Sequence, residues 1–179
     1  MVRRVDWLER EFSFDHLSVG MLPFLIERLR SAPALAADHV RLLQPETLTR
    51  RDGKDWSIQE HVGHLLDLES LGAGRMDDFQ ASRPVLRPAD MTNRATEQAG
   101  HNAKPIEALL KAFRTAREEF VRRLEACDEA FASRRAVHPR LEKEMRVVDL
   151  AYFVAEHDAY HLAIISELIR KFGDGARDS

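Results

Sequence analysis

Leu150-Ala151-Tyr152-Phe153-Val154-Ala155-Glu156-His157-Asp158-Ala159-Tyr160-His161-Leu162-Ala163-Ile164-Ile165-Ser166-Glu167-Leu168 is the stretch whose reading decides how this chain folds. At about 100° per residue, Leu150, Val154, Ile165 and Leu168 fall on one stripe of an α-helix. His157 and His161 fall within that stripe, about 40° apart. The spacing therefore predicts a long helix facing the inside of a helix bundle, with two imidazoles on its buried side. Polar rings are costly in an interior unless something satisfies them. Residues at i and i+4 lie on one face, so both rings can converge on one ion, and zinc, nickel, iron and copper all accept imidazole. His-x3-His is a short and common pattern, so on spacing alone a metal site and a hydrogen-bonded pair both stay open.

Three more long helices are expected upstream. The first runs from about Leu17 to Arg30, capped by Asp15 and ended by Pro33. Pro23 either kinks it or marks its start, and residues 34–43 form a short extra helix. The second begins at the capping box Ser57-Ile58-Gln59-Glu60 and continues to about Ala81. The third runs from about Pro105 to Ala126, and the fourth from about Val147 to Phe172, with Gly173 as its stop. The link from Ser82 to Ala103 is long for a bundle. It permits a crossover in which the second and third helices run parallel. A second link, from Asp128 to Met145, joins the third helix to the fourth. Strand signals are weak. The chain reads as a single domain over 1–179, with 1–14 a short packed extension and 173–179 a frayed tail.

The chain has 179 residues, of which 44% are hydrophobic and 32% charged, with a net charge of −3. This is the balance of a soluble globular domain with one sizeable core. Acids are interleaved with the arginines, so no surface is set up to bind nucleic acid, and no apolar run reaches the length of a membrane span. One cysteine, Cys127, rules out an intrachain disulfide and suits a reducing cytoplasm; it reads as a packing residue. The expected partner is a small-molecule substrate, with neither nucleic acid nor membrane involved.

The second helix offers two further rings, His61 near the centre of its apolar arc and His64 toward one edge. The helical wheel slightly favours His61 as the buried one, but a ligand in a groove between helices does not have to sit at the centre of the arc. Glu60 reads as part of the capping box. His16, His39, His101 and His138 stand alone in polar or terminal contexts and read as surface residues. Arg75, Arg83 and Arg87 are candidates to rim a mouth and meet an anionic substrate, although exposed arginines are common.

Taken together, Trp56-Ser57-x-x-Glu60-x-x-x-His64-Leu65 and the distant His157-x-x-x-His161 resemble the DinB/YfiT superfamily of metalloenzymes. Trp7-Leu8-Glu9-Arg10 and the Phe-rich segment after it resemble the N-terminal extension of some members. The resemblance spans the chain from the first helix to the fourth. It implies an all-α four-helix bundle of up-down-down-up topology with a three-histidine site for a divalent metal: zinc or nickel first, iron or manganese next. Carried over residue by residue, the ligands are His64, His157 and His161, with His64 favoured over His61 by its distance from the tryptophan. The family includes low-molecular-weight-thiol transferases and a thiol-dependent isomerase, so a thiol is an expected co-substrate candidate. Homodimers are frequent in the family, which makes a homodimer an expectation here.

The leading expectation is a metal-dependent enzyme of thiol S-transferase or hydrolase type. The alternatives are a non-catalytic, metal-stabilised binding or interaction module, whose closed shell Asp158 or His61 would complete, and a metal-free bundle. For the enzyme, Tyr160, Asp158 and Glu60 are candidate partners of the ligands.

Overall fold

A computed structural model describes residues 2–173. The expected tail lies outside the described residues, apart from Gly173. The main helices are α1 (Leu22–Val40), α3 (Ile58–Asp67) continued by α4 (Glu69–Gln80), α6 (Ile106–Glu125) and α8 (Val147–Gly173). Shorter pieces connect them: α2 (Pro45–Thr49), α5 (Arg94–Gln98), α7 (Glu129–Ala132), and an antiparallel hairpin of β1 (Arg135–His138) and β2 (Lys143–Arg146).

The helix directions follow from who packs with whom. At one end of the bundle, Leu22, Leu25 and Ile26 of α1 meet Met76 and Phe79 of α4, Phe120 and Leu124 of α6, and Val148 and Leu150 of α8. At the other end, Ala36 and Val40 meet Ile58 and Val62 of α3, Leu109 of α6, and Ile165 and Leu168 of α8. Thus α1 and α8 run one way and α3–α4 and α6 the other. This is the up-down-down-up four-helix bundle, and the link between α4 and α6 is the crossover that lets them run parallel.

Several local expectations are corrected. α1 does not stop at Pro33 but continues as one helix to Val40, and Asp15 does not cap it. Helix entry follows a 3-10 turn at Val19–Met21, and Pro23 sits in the first turn, where its missing N–H costs nothing. The second helix is interrupted at Leu68, where α3 passes into α4. Each link also carries structure the sequence did not announce: α5 in the first, and α7 with the β1–β2 hairpin in the second. The hairpin is extended on one side by residues 84–86, where Val137 N–H donates to Pro84 C=O (2.9 Å) and Leu86 N–H to Val137 C=O (3.0 Å). The N-terminal extension packs as expected. Phe12 and Phe14 are buried, and Trp7 rests on Phe12 and Phe153. Cys127 is half-buried against the core, and burial pushes its thiol pKa up.

Pro33 removes the N–H that would bond to the carbonyl of Leu29. That carbonyl instead accepts from Arg117 Nη1 at 3.0 Å. Arg117 also donates to Glu69 of α4 (2.6 Å) and to Asp158 of α8 (2.5 Å). One buried guanidinium on α6 therefore ties together all four parts of the bundle. Burial holds the Glu69 and Asp158 carboxyls above their ordinary range, and for Glu69 the neighbouring Asp158 charge adds to the effect.

Candidate metal centre

The capping box starts α3 as read: Ser57 Oγ accepts from Glu60 N–H (3.1 Å), and Ser57 N–H donates to Glu60 Oε2 (2.8 Å). Glu60 also pairs with Arg51, so its carboxylate is committed to the helix start rather than to a metal. One turn later, His61 and His64 turn inward from α3 toward His157 and His161 on α8. Candidate ligand atoms of His64, His157 and His161 all lie within 4.8 Å of one another.

The hydrogen bonds define which nitrogens remain available. Thr96 Oγ1 donates its single proton to Asp67 Oδ2 (2.8 Å), so it can only accept from His64 Nδ1, 3.0 Å away. His64 therefore carries its proton on Nδ1, and the Nε2 lone pair is free. His61 Nδ1 and His161 Nδ1 lie 2.9 Å apart, which leaves His161 Nε2 3.2 Å from His157 Nε2. Two imidazole nitrogens bound tetrahedrally to one ion at about 2.0 Å would be about 3.3 Å apart. The His157–His161 pair matches that spacing, and a His64 nitrogen lies within 4.8 Å of both, so three neutral imidazoles suited to a divalent metal converge on one point. Desolvation lowers the pKa of His61 and of His64 to about 4, and it holds His157 and His161 well below the ordinary histidine value, so all four rings are neutral near pH 7.

The helical wheel's preference for His61 is thus half right. His61 is buried, but its place is beside His161, whereas His64 joins the trio. Two histidines read as surface residues are interior. His101, 2% exposed, reaches Asp67 Oδ2 through Nε2 (2.8 Å). It fits only because position 63 is glycine: a Cβ there would overlap the His101 ring. His138 is also 2% exposed. Asp158 lines the same cavity as the trio but is bonded by Arg117 (2.5 Å), and Glu60 by Arg51 and Ser57 N–H; among the described residues neither carboxylate hydrogen-bonds a ring of the trio. Tyr160 stays at the site, its ring edge-on to His161 at 5.2 Å and covered by the Arg4 guanidinium at 4.7 Å.

Sequence reading missed the contribution of the first link. α5 supplies Thr96, and the turn after it supplies His101, so the crossover segment orients His64 through Asp67. Trp56 from the start of α3 and Trp7 from the extension flank the rings, with Trp7 edge-on to His157 at 4.9 Å and Trp56 at 4.7 Å from His64. The trio opens on a cavity of about 920 Å³ that runs between the N-terminal extension, α4, α8 and the β1–β2 hairpin. Of the three arginines proposed for its mouth, only Arg75 lines it. Arg83 and Arg87 are paired with Asp78.

A four-helix bundle with an up-down-down-up course and three converging imidazoles in its interior defines the class of protein. The chain belongs to the DinB superfamily, which it matches over residues 28–165. Its fold is similar to that of YfiT from Bacillus subtilis, described as a probable metal-dependent hydrolase with an unusual four-helix bundle topology. The TM-score is 0.77 at 21% identity, covering 91% of this chain and 94% of that one. At that identity the likeness establishes the fold alone. No curated protein matches the chain in sequence. Among the described residues, no helix is long and apolar enough to cross a membrane.

Proposed function

We propose that this protein is a divalent-metal-dependent enzyme acting on a small molecule by hydrolysis or by thiol transfer, with His64, His157 and His161 holding the ion. The observation that carries this reading is the Asp67–Thr96–His64 chain of hydrogen bonds, which fixes the tautomer of a ring aimed at two others. Partners of this kind orient metal-ligating histidines and raise their basicity. Zinc or nickel suits three neutral imidazoles. Such an ion supplies Lewis acidity, which makes a water or thiol nucleophile available at neutral pH. The chain's own residues bind and orient: His61 accepts from the outer nitrogen of His161, Trp7 and Trp56 limit access of water to the rings, and the cavity beside them admits a ligand.

A non-catalytic, metal-stabilised module would need a closed shell completed by Asp158 or His61. Asp158 is engaged by Arg117, and His61 by His161. Both arrangements argue against that alternative, and the adjoining cavity favours an enzyme.

Elemental analysis of protein purified without a histidine tag tests the reading. We expect one divalent ion per chain, lost in His64→Ala and retained in His61→Ala. Unchanged metal content in His64→Ala would overturn the assignment. Parallel assays with ester or amide substrates and with thiol acceptors would then separate hydrolysis from thiol transfer.

A further inference from the structure

The cavity has a second polar region that the three histidines do not use. Arg75 of α4, His138 at the end of β1 and Arg140 in the hairpin turn all line it. Arg75 is 4% exposed, and its guanidinium makes one hydrogen bond among the described residues, from Nε to the carbonyl of Arg87 (3.2 Å). His138 Nδ1 accepts from the backbone N–H of Leu141 (3.2 Å), so the neutral ring carries its proton on Nε2. That Nε2–H is buried without a partner among the described residues, and so is Arg140 Nη2. Neither Arg75 nor Arg140 has an ion-pair partner among the described residues. Asp78, three positions after Arg75, is spent on Arg83 and Arg87.

Three donors thus face one cavity with no acceptor among them. Unmatched buried donors are costly, and unmatched buried cations more so. Two guanidiniums at one cavity also repel each other. An oxyanion resolves each of these costs at once, because it is acceptor-only and guanidinium binds it in a bidentate fork. We propose that Arg75, Arg140 and His138 form an oxyanion-binding subsite that takes the carboxylate or phosphate group of a small-molecule ligand.

Its position relative to the histidines gives it a use. The Arg140 guanidinium lies 5.9 Å from the centre of the Trp7 ring, and that ring lies 4.9 Å from His157. A ligand anchored by its anionic group at the arginines extends past the indole to the imidazole trio. Identifying that ligand as the substrate rests on the metal-dependent reading above; the anion subsite itself does not.

Isothermal titration of the full chain tests the subsite, with acetate and inorganic phosphate as separate probes in chloride buffer at constant ionic strength. Zinc-loaded and chelator-treated protein are compared. Saturable binding of at least one probe is expected in both forms, and the tighter of the two identifies the class of anionic group. Arg140→Gln and Arg75→Gln are expected to weaken it about tenfold or more, and His138→Phe by a smaller factor. Arg83→Gln, already paired outside the cavity, leaves binding unchanged. Absence of saturable binding for both probes, or equal binding by the arginine variants, overturns the proposal. Anion binding without metal binding would sink the metal reading alone, and metal binding without anion binding would sink this one alone.

Discussion

A single hydroxyl decides which lone pair His64 presents. Thr96 can serve the ring only as an acceptor, because Asp67 takes its proton. Thr96→Val keeps the shape and removes that acceptor. We expect it to weaken metal affinity about 10–100-fold with little loss of fold, measured by competition with a chromogenic chelator; unchanged affinity would show that the relay has no hold on the ligand. At this scale the sequence was legible where residues share a helix. His157 and His161 could be placed on one buried stripe from periodicity alone. The choice of His64 over His61 could not be made that way, because their roles depend on Thr96, 32 residues away, and on the far side of His161. Resemblance supplied what the helical wheel could not. His101 and His138 were misread for a related reason: both lie in the links, outside the long helical patterns, and their burial comes from segments that pack over them.

Among elements, the instructive case is α1. Proline inside a helix removes a hydrogen bond and usually ends or kinks it, which is why the sequence predicts a stop at Pro33. The helix continues because Arg117, from α6, occupies the carbonyl that Pro33 leaves open, a compensation that no local pattern displays. Arg117→Met would orphan that carbonyl and leave two buried carboxyls facing each other. We expect it to cost about 3–5 kcal/mol by urea denaturation, with the deficit shrinking in acid. In acid, the folded variant keeps its two carboxyls protonated more readily than the unfolded chain does. Adding Pro33→Ala supplies a backbone N–H to Leu29 and should recover about 1 kcal/mol in a double-mutant cycle; strict additivity would refute the compensation. Gly63 poses the opposite constraint between α3 and the crossover link. Gly63→Ala drives a methyl into the His101 ring, and a loss of about 1–3 kcal/mol is expected. Weaker metal binding should accompany it, since His101 and Thr96 share Asp67. The four long helices and their parallel middle pair were readable because periodicity and link length are local properties. The β1–β2 hairpin was not, since its strands are only four residues long, half of those residues are charged, and β1 is also bonded on its outer side by residues 84–86.

For the molecule as a whole, burying so many neutral histidines sets how stability depends on pH. Desolvation lowers His61 and His64 from 6.5 to about 4, and His138, beside Arg75 and Arg140, to about 3. The unfolded chain binds these protons as pH falls through 6.5, and the folded chain does not until near 4. The stability of the metal-free protein is therefore complete above about pH 6.5 and declines between there and 4. Each such histidine contributes a slope of up to about 1.4 kcal/mol per pH unit. Glu69 and Asp158, whose carboxyls are held high, act in the opposite sense and lessen the net slope. Denaturant midpoints at pH 7, 6 and 5 should fall in that order, and a flat profile would mean that the rings are solvated. Metal affinity of the folded state follows a different course. Its ligands are already deprotonated at pH 5, so proton competition is weak there, whereas an exposed three-histidine site would lose its ion below about 6.5. Zinc affinity measured on the folded chain should thus change little from pH 7 to pH 5 even as the apo protein weakens. A steep loss across that interval would mean that the trio is open to water and that burial does not keep it ready for the ion.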